Sequence, residues 1–374
     1  MPSASAPRSW HGNSRLNNEF AERRHLISTG LAAHKLDAML VSSPANVRYL
    51  TGFTGSNGTV LVLPDEAFFF TDPRYAIQSG REVSCKTKVC KGPILPAVAD
   101  MARRRRIRRL GFERGHLSYD GFDLLRTRLP VNTSLDPIPG WLEGQRMLKS
   151  PAEIELIRRS VATNSKAFEQ AVRHIRPGMR EQDLAAEVDY RMRRLGAEKP
   201  AFDTIVASGE RSALPHAHPT TATLQPNQLV LVDMGAFQDG YASDMTRVLF
   251  QGTPGARVKR VYRAVLEAQL AAIDAVRPGV TTAHVDRRAR GVLKGYGLER
   301  AFVHSTGHGL GLEIHEMPRI GKRDKTRLQK GMAITIEPGV YLEGLGGVRI
   351  EDTVVVTGNG CEILTPTSKG LRVI

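Results

Sequence analysis

The stretch HSTGHGLGLEIHE, residues 304–316, places His304, His308 and His315 within twelve positions. Imidazoles at this density suit a divalent cation, because neutral histidine is the commonest side-chain metal ligand. The spacing is not that of a helical HExxH site, where two histidines four residues apart share one helix face. Gly307, Gly309 and Gly311 also oppose a helix, since each costs about 1 kcal/mol there relative to alanine. Any metal chemistry must therefore draw partners from farther along the chain.

Four carboxylates are candidates. Asp233 and Asp244 edge the apolar runs LVLVDMG and GYASDMTRVLF, and Glu337 and Glu351 lie in MAITIEPG and GGVRIEDTVVV. A carboxylate closing an apolar strand is expensive to bury unpaired. A salt bridge or an exposed strand end would account for any one of them. Four in matched positions, beside a glycine-flanked histidine, need more positive charge than the nearby arginines supply, and divalent cations could supply it. Carboxylates with one imidazole form a mostly hard ligand set, favouring Mn²⁺ or a relative such as Co²⁺ over a thiolate zinc site. Bridging carboxylates would let two ions sit about 3.5–4 Å apart, as in two-metal hydrolases.

The elements that must position these groups repeat within the chain. IRPGM at 175–179 answers VRPGV at 276–280, and AFDTIVASG (201–209) matches AFVHSTGHG (301–309). LQPNQLVLVDMG (224–235) aligns with LQKGMAITIEPG (328–339), setting Asp233 on Glu337. SDMT against IEDT sets Asp244 on Glu351, and PHAHP against IHEMP sets His216 on His315. Each half thus carries a histidine and two carboxylates in one order. Two such halves about a pseudo-twofold axis would bring both sets to a central site, so a duplicated α/β half-domain is expected. FQDG between Asp233 and Asp244 allows a hairpin that sets those carboxylates side by side. A long helix, PAEIELIRRSVATNSKAFEQAVRHI, should lead into this region, with proline at its start and a capping box in SPAE.

Upstream, residues 21–145 read as a separate α/β domain: a helix, the strand AMLVSS, a loop, a hairpin turning at PDE, a helix ending in MARRRR, and the strand RLGFE. Residues 1–20 read as a disordered tail without the apolar core of a signal peptide. The boundary falls in DPIPGWLEGQRMLKSP, near residue 145, and 146–374 form the second domain. At 374 residues, with 41% hydrophobic and 24% charged residues, the chain has the composition of a two-domain soluble protein. No apolar run approaches the roughly 20 residues that cross a bilayer. Cys85, Cys90 and Cys361 make no disulfide framework and no CxxC knuckle, so a cytoplasmic setting is expected. Much of the net charge of +15 is arginine, with its densest run in MARRRRIRRLG. Without interleaved aromatics for base stacking, the run reads as a solvated helix end rather than a nucleic-acid surface.

The motifs NVRYLTGFTGSNG and TDPRYAIQ resemble the N-terminal, creatinase-like domain of the Xaa-Pro peptidases, aminopeptidase P and prolidase. KSPAEIELIR, SGERSALPHAHPT, DMGAFQDGYASDMTR, HSTGHGLGLEIHEMP, IEPGVY and GGVRIEDT resemble their pita-bread catalytic domain. The resemblance spans nearly the whole chain. It implies that Asp233, Asp244, His308, Glu337 and Glu351 hold two divalent ions, Mn²⁺ first with Co²⁺ or Zn²⁺ as alternatives. By the same resemblance, Asp244 and Glu351 bridge the ions and Glu337 shuttles a proton. His216, His304 and His315 handle substrate, and Tyr341 and Arg349 stand near the site. It further implies a homodimer and proline-containing peptide substrates. The expected activity is an Xaa-Pro aminopeptidase, with an Xaa-Pro dipeptidase as the alternative and a non-catalytic nucleic-acid-binding protein as the rival from another class.

Overall fold

The computed structural model describes residues 14–374, in two compact units that divide between Glu143 and Gly144. Residues 1–13 of the expected tail lie outside the described residues. Residues 14–20, expected to be disordered, are the first turns of a helix.

The first unit runs α1 (Ser14–Gly30), β1 (Ala38–Val41), α2 (Pro44–Thr51), β2 (Gly58–Val62), β3 (Ala67–Thr71), α3 (Ala76–Glu82) and β4 (Lys86–Val89). It continues with α4 (Ile94–Arg104), β5 (Arg109–Glu113), α5 (Tyr119–Arg128) and β6 (Ser134–Ile138). Its strands form one sheet in the order β4-β3-β2-β1-β5-β6. Every residue of β1 and β3 is buried, which is why AMLV and AFFFT are unbroken apolar runs rather than alternating ones. The β2–β3 hairpin turns at PDE, closed by the Leu63 amide on the Glu66 carbonyl at 2.8 Å.

The loop expected after β1 is instead the helix α2. Pro44 occupies its first turn, and Gly52 follows its end with φ 77°, donating its amide to Arg48 O. Proline at the start and a left-handed glycine just past the end are the ordinary start and stop of a helix. At the arginine run, α4 ends and β5 begins. Arg103, Arg105 and Arg109 pair there with Asp100, Glu66 and Asp136. Cations in a last helical turn also complement the helix dipole. The stretch expected as a domain boundary carries β6 and a short helix, α6 (Trp141–Arg146), and the units divide inside that helix.

The second unit opens with α7 (Pro151–Val172), capped by a reciprocal Ser150–Glu153 box. Then follow α8 (Glu181–Arg194), β7 (Lys199–Pro200), β8 (Ile205–Ser208), β9 (Gln228–Met234), β10 (Ala236–Gln238), β11 (Tyr241–Ala242) and β12 (Met245–Gln251). The sequence of elements then recurs as α9 (Ala256–Asp274), α10 (Thr282–Gly295), β13 (Gly307–Gly309), β14 (Glu316–Ile320), β15 (Ala333–Ile336), β16 (Gly339–Leu342), β17 (Gly346–Arg349) and β18 (Asp352–Val356). Short strands β19 (Cys361–Ile363) and β20 (Arg372–Val373) close the chain.

Each half is a helix pair followed by three antiparallel strands, adjacent as β12-β9-β8 in one sheet and β18-β15-β13 in the other. The bridges Arg180–Thr223 and Thr281–Arg327 repeat as well. The two ladders differ in register: Asp233 pairs with Thr246, whereas Ile336, just before Glu337, pairs with Asp352, just after Glu351. Strand β9 shows why its run is apolar throughout. Leu229 and Leu231 pack with Val261, Val265 and Ala268 of α9, while Val230 and Val232 pack with Phe168 of α7 and Leu184 and Val188 of α8. Alternate side chains of one strand thus enter two cores. Among the described residues no helix is long and apolar enough to cross a membrane.

Candidate metal centre

The five expected donor residues come from strand ends of both halves. Asp233 is on β9, and Asp244 immediately precedes β12. Between them β10 and β11 form the expected hairpin, turning at Asp239 and Gly240 with φ 52° and 81°. Two consecutive positive φ values suit Asp-Gly in a tight turn that follows the twist of the sheet. His308 is on β13, Glu337 follows β15, and Glu351 sits between β17 and β18. Glycine flanks His308 because β13 is squeezed between its neighbours. A Cβ at Gly307 would lie 2.0 Å from Thr335 O, and one at Gly309 would lie 2.2 Å from Met317 O.

Ligand atoms of Asp244, His308 and Glu351 all lie within 4.8 Å of one another. His308 Nε2 is 3.5 Å from Asp244 Oδ2 and 3.5 Å from Glu337 Oε1. Its Nδ1 faces Gly309 O at 2.9 Å, and a carbonyl can only accept, so the proton sits on Nδ1 and the Nε2 lone pair is turned to the carboxylates. That is the second contact by which metal-ligating histidines are oriented. Asp233 Oδ2 accepts from Arg349 Nη2 at 2.6 Å, while the buried Oδ1 has no hydrogen-bond partner.

Crowding so many acids changes their titration. Burial, then repulsion from Glu351, Asp233 and Glu337, holds the Asp244 carboxyl well above the usual carboxylate range. Burial and the repulsion of Glu337 and Asp233 do the same to Glu351. Burial pushes Glu337 up to about 7, against the pull of Arg349. Burial also lowers His308, favouring neutral imidazole. A divalent cation reverses this logic by stabilising the ionised carboxylates. The unpartnered Asp233 oxygen, the available His308 lone pair and the oxygen-rich set all fit divalent cations.

Arg349, at the end of β17, organises the surrounding groups. Burial alone would lower its pKa, but Tyr341, Asp233, Glu337 and Glu351 hold it well above the usual guanidinium range. Its Nη1 donates to Tyr341 OH at 2.7 Å and to Pro215 O at 3.2 Å. Its Nε donates to Thr246 Oγ1 at 3.0 Å, and that hydroxyl donates to Glu351 Oε2 at 2.7 Å. Tyr341 OH meets His304 Nε2 at 2.8 Å, and His304 Nδ1 donates to Ser305 O at 2.7 Å. Burial lowers His304 to about 4, so its neutral Nε2 accepts the tyrosine proton. A continuous chain therefore runs Asp233–Arg349–Tyr341–His304. His315 is exposed, its ring 4.5 Å from that of His308. His216 is exposed too, and its charge disfavours protonation of both His304 and His315. All ten expected site residues thus belong to one neighbourhood.

Sequence reasoning passed over the groups that hold these in place. Thr335 accepts from the His308 amide at 3.1 Å and donates to Glu337 Oε1 at 3.3 Å. Arg290, paired with Asp286, donates to Phe302 O and His304 O, fixing the approach to His304. Glu316, beside His315, accepts from Lys149 at 2.8 Å and also pairs with Arg146. Thr246 and Thr335 did carry a signal, since each lies two residues from a carboxylate. The ion pairs of Glu316 join positions far apart in sequence and carried none, whereas Asp286 and Arg290 stand four residues apart on one helix.

Residues 155–358 match the profile of metallopeptidase family M24, and residues 23–148 match the creatinase/prolidase N-terminal domain. A protein named Xaa-Pro dipeptidase from Pyrococcus furiosus is 39% identical over 94% of this chain and 99% of its own. The chain belongs to metallopeptidase family M24. Among solved structures, an Xaa-Pro dipeptidase from Bacillus anthracis has TM-score 0.92 and 36% identity, covering 95% of this chain and 100% of that one. An X-Pro aminopeptidase from Thermotoga maritima has TM-score 0.86, again at 36% identity, covering 91% and 98%. For this M24 chain the duplicated unit is the pita-bread catalytic domain, and its chemistry is peptide hydrolysis with divalent metal ions.

Proposed function

We propose that the chain is a metallo-exopeptidase that hydrolyses Xaa-Pro dipeptides. Asp233, Asp244, His308, Glu337 and Glu351 would hold a pair of divalent cations, Mn²⁺ first. The observation that carries this reading is the meeting of a buried, unpartnered Asp233 oxygen, three raised carboxyls and a free imidazole lone pair. Dipeptides are preferred to longer peptides, the reverse of the order expected from the sequence, because relatives from Pyrococcus furiosus and Pyrococcus horikoshii are named Xaa-Pro dipeptidases. The Xaa-Pro aminopeptidase reading stands second, supported by the Thermotoga maritima structure.

The Xaa-Pro bond is a tertiary amide without an N–H, so a site for it relies on ring fit and carbonyl activation rather than on that donor. When bound, the cations would supply Lewis-acid polarisation of the scissile carbonyl and acidify water. Glu337, a carboxylate beside the cations, would take a proton from water and hand it to the leaving proline nitrogen. His216 and His315, both exposed, are free to hydrogen-bond the substrate. Tyr341 and Arg349 hold Asp233 and His304 in fixed orientation, which limits reorganisation during the reaction. A homodimer and a cytoplasmic setting remain part of the proposal. The first rests on the family resemblance, the second on the three free thiols.

The test is hydrolysis of Ala-Pro and Ala-Pro-Ala by Mn²⁺-loaded protein, with chelated protein and Glu337→Gln as controls. Chelator-sensitive cleavage favouring Ala-Pro supports the dipeptidase. A preference for Ala-Pro-Ala transfers the reading to an aminopeptidase, and cleavage of neither ends it.

A further inference from the structure

A cavity of about 690 Å³ adjoins the candidate active site, and its lining is dominated by cations: Arg290, Arg300, Arg319, Lys322 and Arg323. His304 belongs to both places. It is one of the lining residues of the cavity, and its Nε2 bonds the Tyr341 hydroxyl of the central chain.

The cations differ in what they already do. Arg290 is committed to Asp286 and to the carbonyls of Phe302 and His304. Arg319 gives its Nε to Ser305 Oγ at 2.8 Å. Among the described residues, Arg300, Lys322 and Arg323 make no ion pair and no side-chain hydrogen bond, and all three are exposed. Two carboxylates share the lining, Glu299 and Asp324. Asp324 is engaged by Thr282 Oγ1 at 2.9 Å and by the Thr326 amide at 2.8 Å. Three uncommitted positive charges around one concave space raise the local concentration of anions, and concavity strengthens that field. The volume exceeds the requirement of a single carboxylate, since pockets for whole drug-sized ligands begin near about 300 Å³.

We propose that this cavity is a subsite for an acidic residue following the proline, so that the enzyme favours Xaa-Pro-Glu and Xaa-Pro-Asp over neutral and basic extensions. The proposal rests on the peptidase reading and extends its substrate class. A peptide ending in glutamate carries two carboxylates beyond the proline, and Arg300, Lys322 and Arg323 would meet them. Selection on the leaving side is then for negative charge rather than for chain length alone.

The test compares Ala-Pro-Glu, Ala-Pro-Gln and Ala-Pro-Lys on Mn²⁺-loaded enzyme, with Ala-Pro as the control for the peptidase reading. The expected order of kcat/KM is Glu above Gln above Lys, with Glu over Lys by about tenfold at low salt and the gap closing near 0.5 M salt as the charges are screened. In the double variant Lys322→Glu/Arg323→Glu the Glu-to-Gln ratio should invert. Because it is a ratio within one protein, it is unaffected by a general loss of activity. Equal rates for the three tripeptides, or a ratio unchanged in the variant, overturn the proposal. Calorimetric binding of Pro-Glu and Pro-Gln to chelated protein separates the two claims. If Ala-Pro is not cleaved, the peptidase reading falls, while tighter binding of Pro-Glu still supports the cavity and equal binding refutes it.

Discussion

Replacing Glu337 by glutamine should reverse its effect on stability according to whether metal is present. Burial raises the Glu337 carboxyl from 4.5 to about 7 in the folded chain. A carboxyl raised in this way contributes stability that is complete below its unfolded value and is lost as pH climbs through the folded one. At about 1.4 kcal/mol per unit, Glu337 alone removes about 3 kcal/mol from the metal-free protein between about pH 4.5 and about 7. Asp244 and Glu351 are raised in part by Glu337, so neutralising it relieves them in the same direction. His304, lowered to about 4, has the opposite slope: its contribution is present above 6.5 and is lost as pH falls towards 4. The useful quantity is therefore the difference between Glu337→Gln and the parent, in which His304 cancels. Measured by urea unfolding in chelator, the variant should gain about 3 kcal/mol on the parent across that range. With saturating Mn²⁺ the order should invert, because a ligand that binds the folded state stabilises it and the variant has lost a donor. A difference that does not change with pH, or that metal leaves unaltered, would refute the picture of a carboxylate cluster awaiting cations.

Three further outcomes follow from the same contacts. Tyr341→Phe strips His304 Nε2 of its partner and Arg349 Nη1 of one acceptor, a loss of about 1–3 kcal/mol. It should lower kcat/KM for Ala-Pro by at least about fivefold while leaving Mn²⁺ affinity, read by calorimetry, unchanged. Glu316→Gln leaves Lys149 and Arg146 short of a buried counter-charge and should destabilise the fold by about 3 kcal/mol or more in urea unfolding. Gly309→Ala drives a Cβ into Met317 O and parts β13 from β14. It should cost about 2 kcal/mol and weaken Mn²⁺ binding through the displaced His308.

Much of the fold was legible because its signals are local. The strand RLGFE, the Ser150–Glu153 box and the Asp239–Gly240 turn each depend on a few neighbouring residues, and each stands where the pattern put it. The internal repeat was legible for a different reason: both halves meet the same demand, a helix pair covering strands that end in an acid. What escaped was decided at longer range. PANVRYLT gains its helical turn between Pro44 and Gly52 and by burying Val47 and Leu50. The offset between the two ladders arises from hydrogen-bond pairing that no single strand encodes. Arg349 could be named from resemblance, but its four acceptors, spread from Pro215 to Tyr341, exist only in the folded chain.

The most direct test of the metal centre is the metal content of the protein after Mn²⁺ loading and gel filtration, beside an Asp244→Asn variant shown by circular dichroism to be folded. Asp244 offers a ligand atom within 4.8 Å of those of both His308 and Glu351. Two ions per chain in the parent and fewer than one in the variant are expected. Equal metal content in the two proteins would contradict a centre built from these five residues.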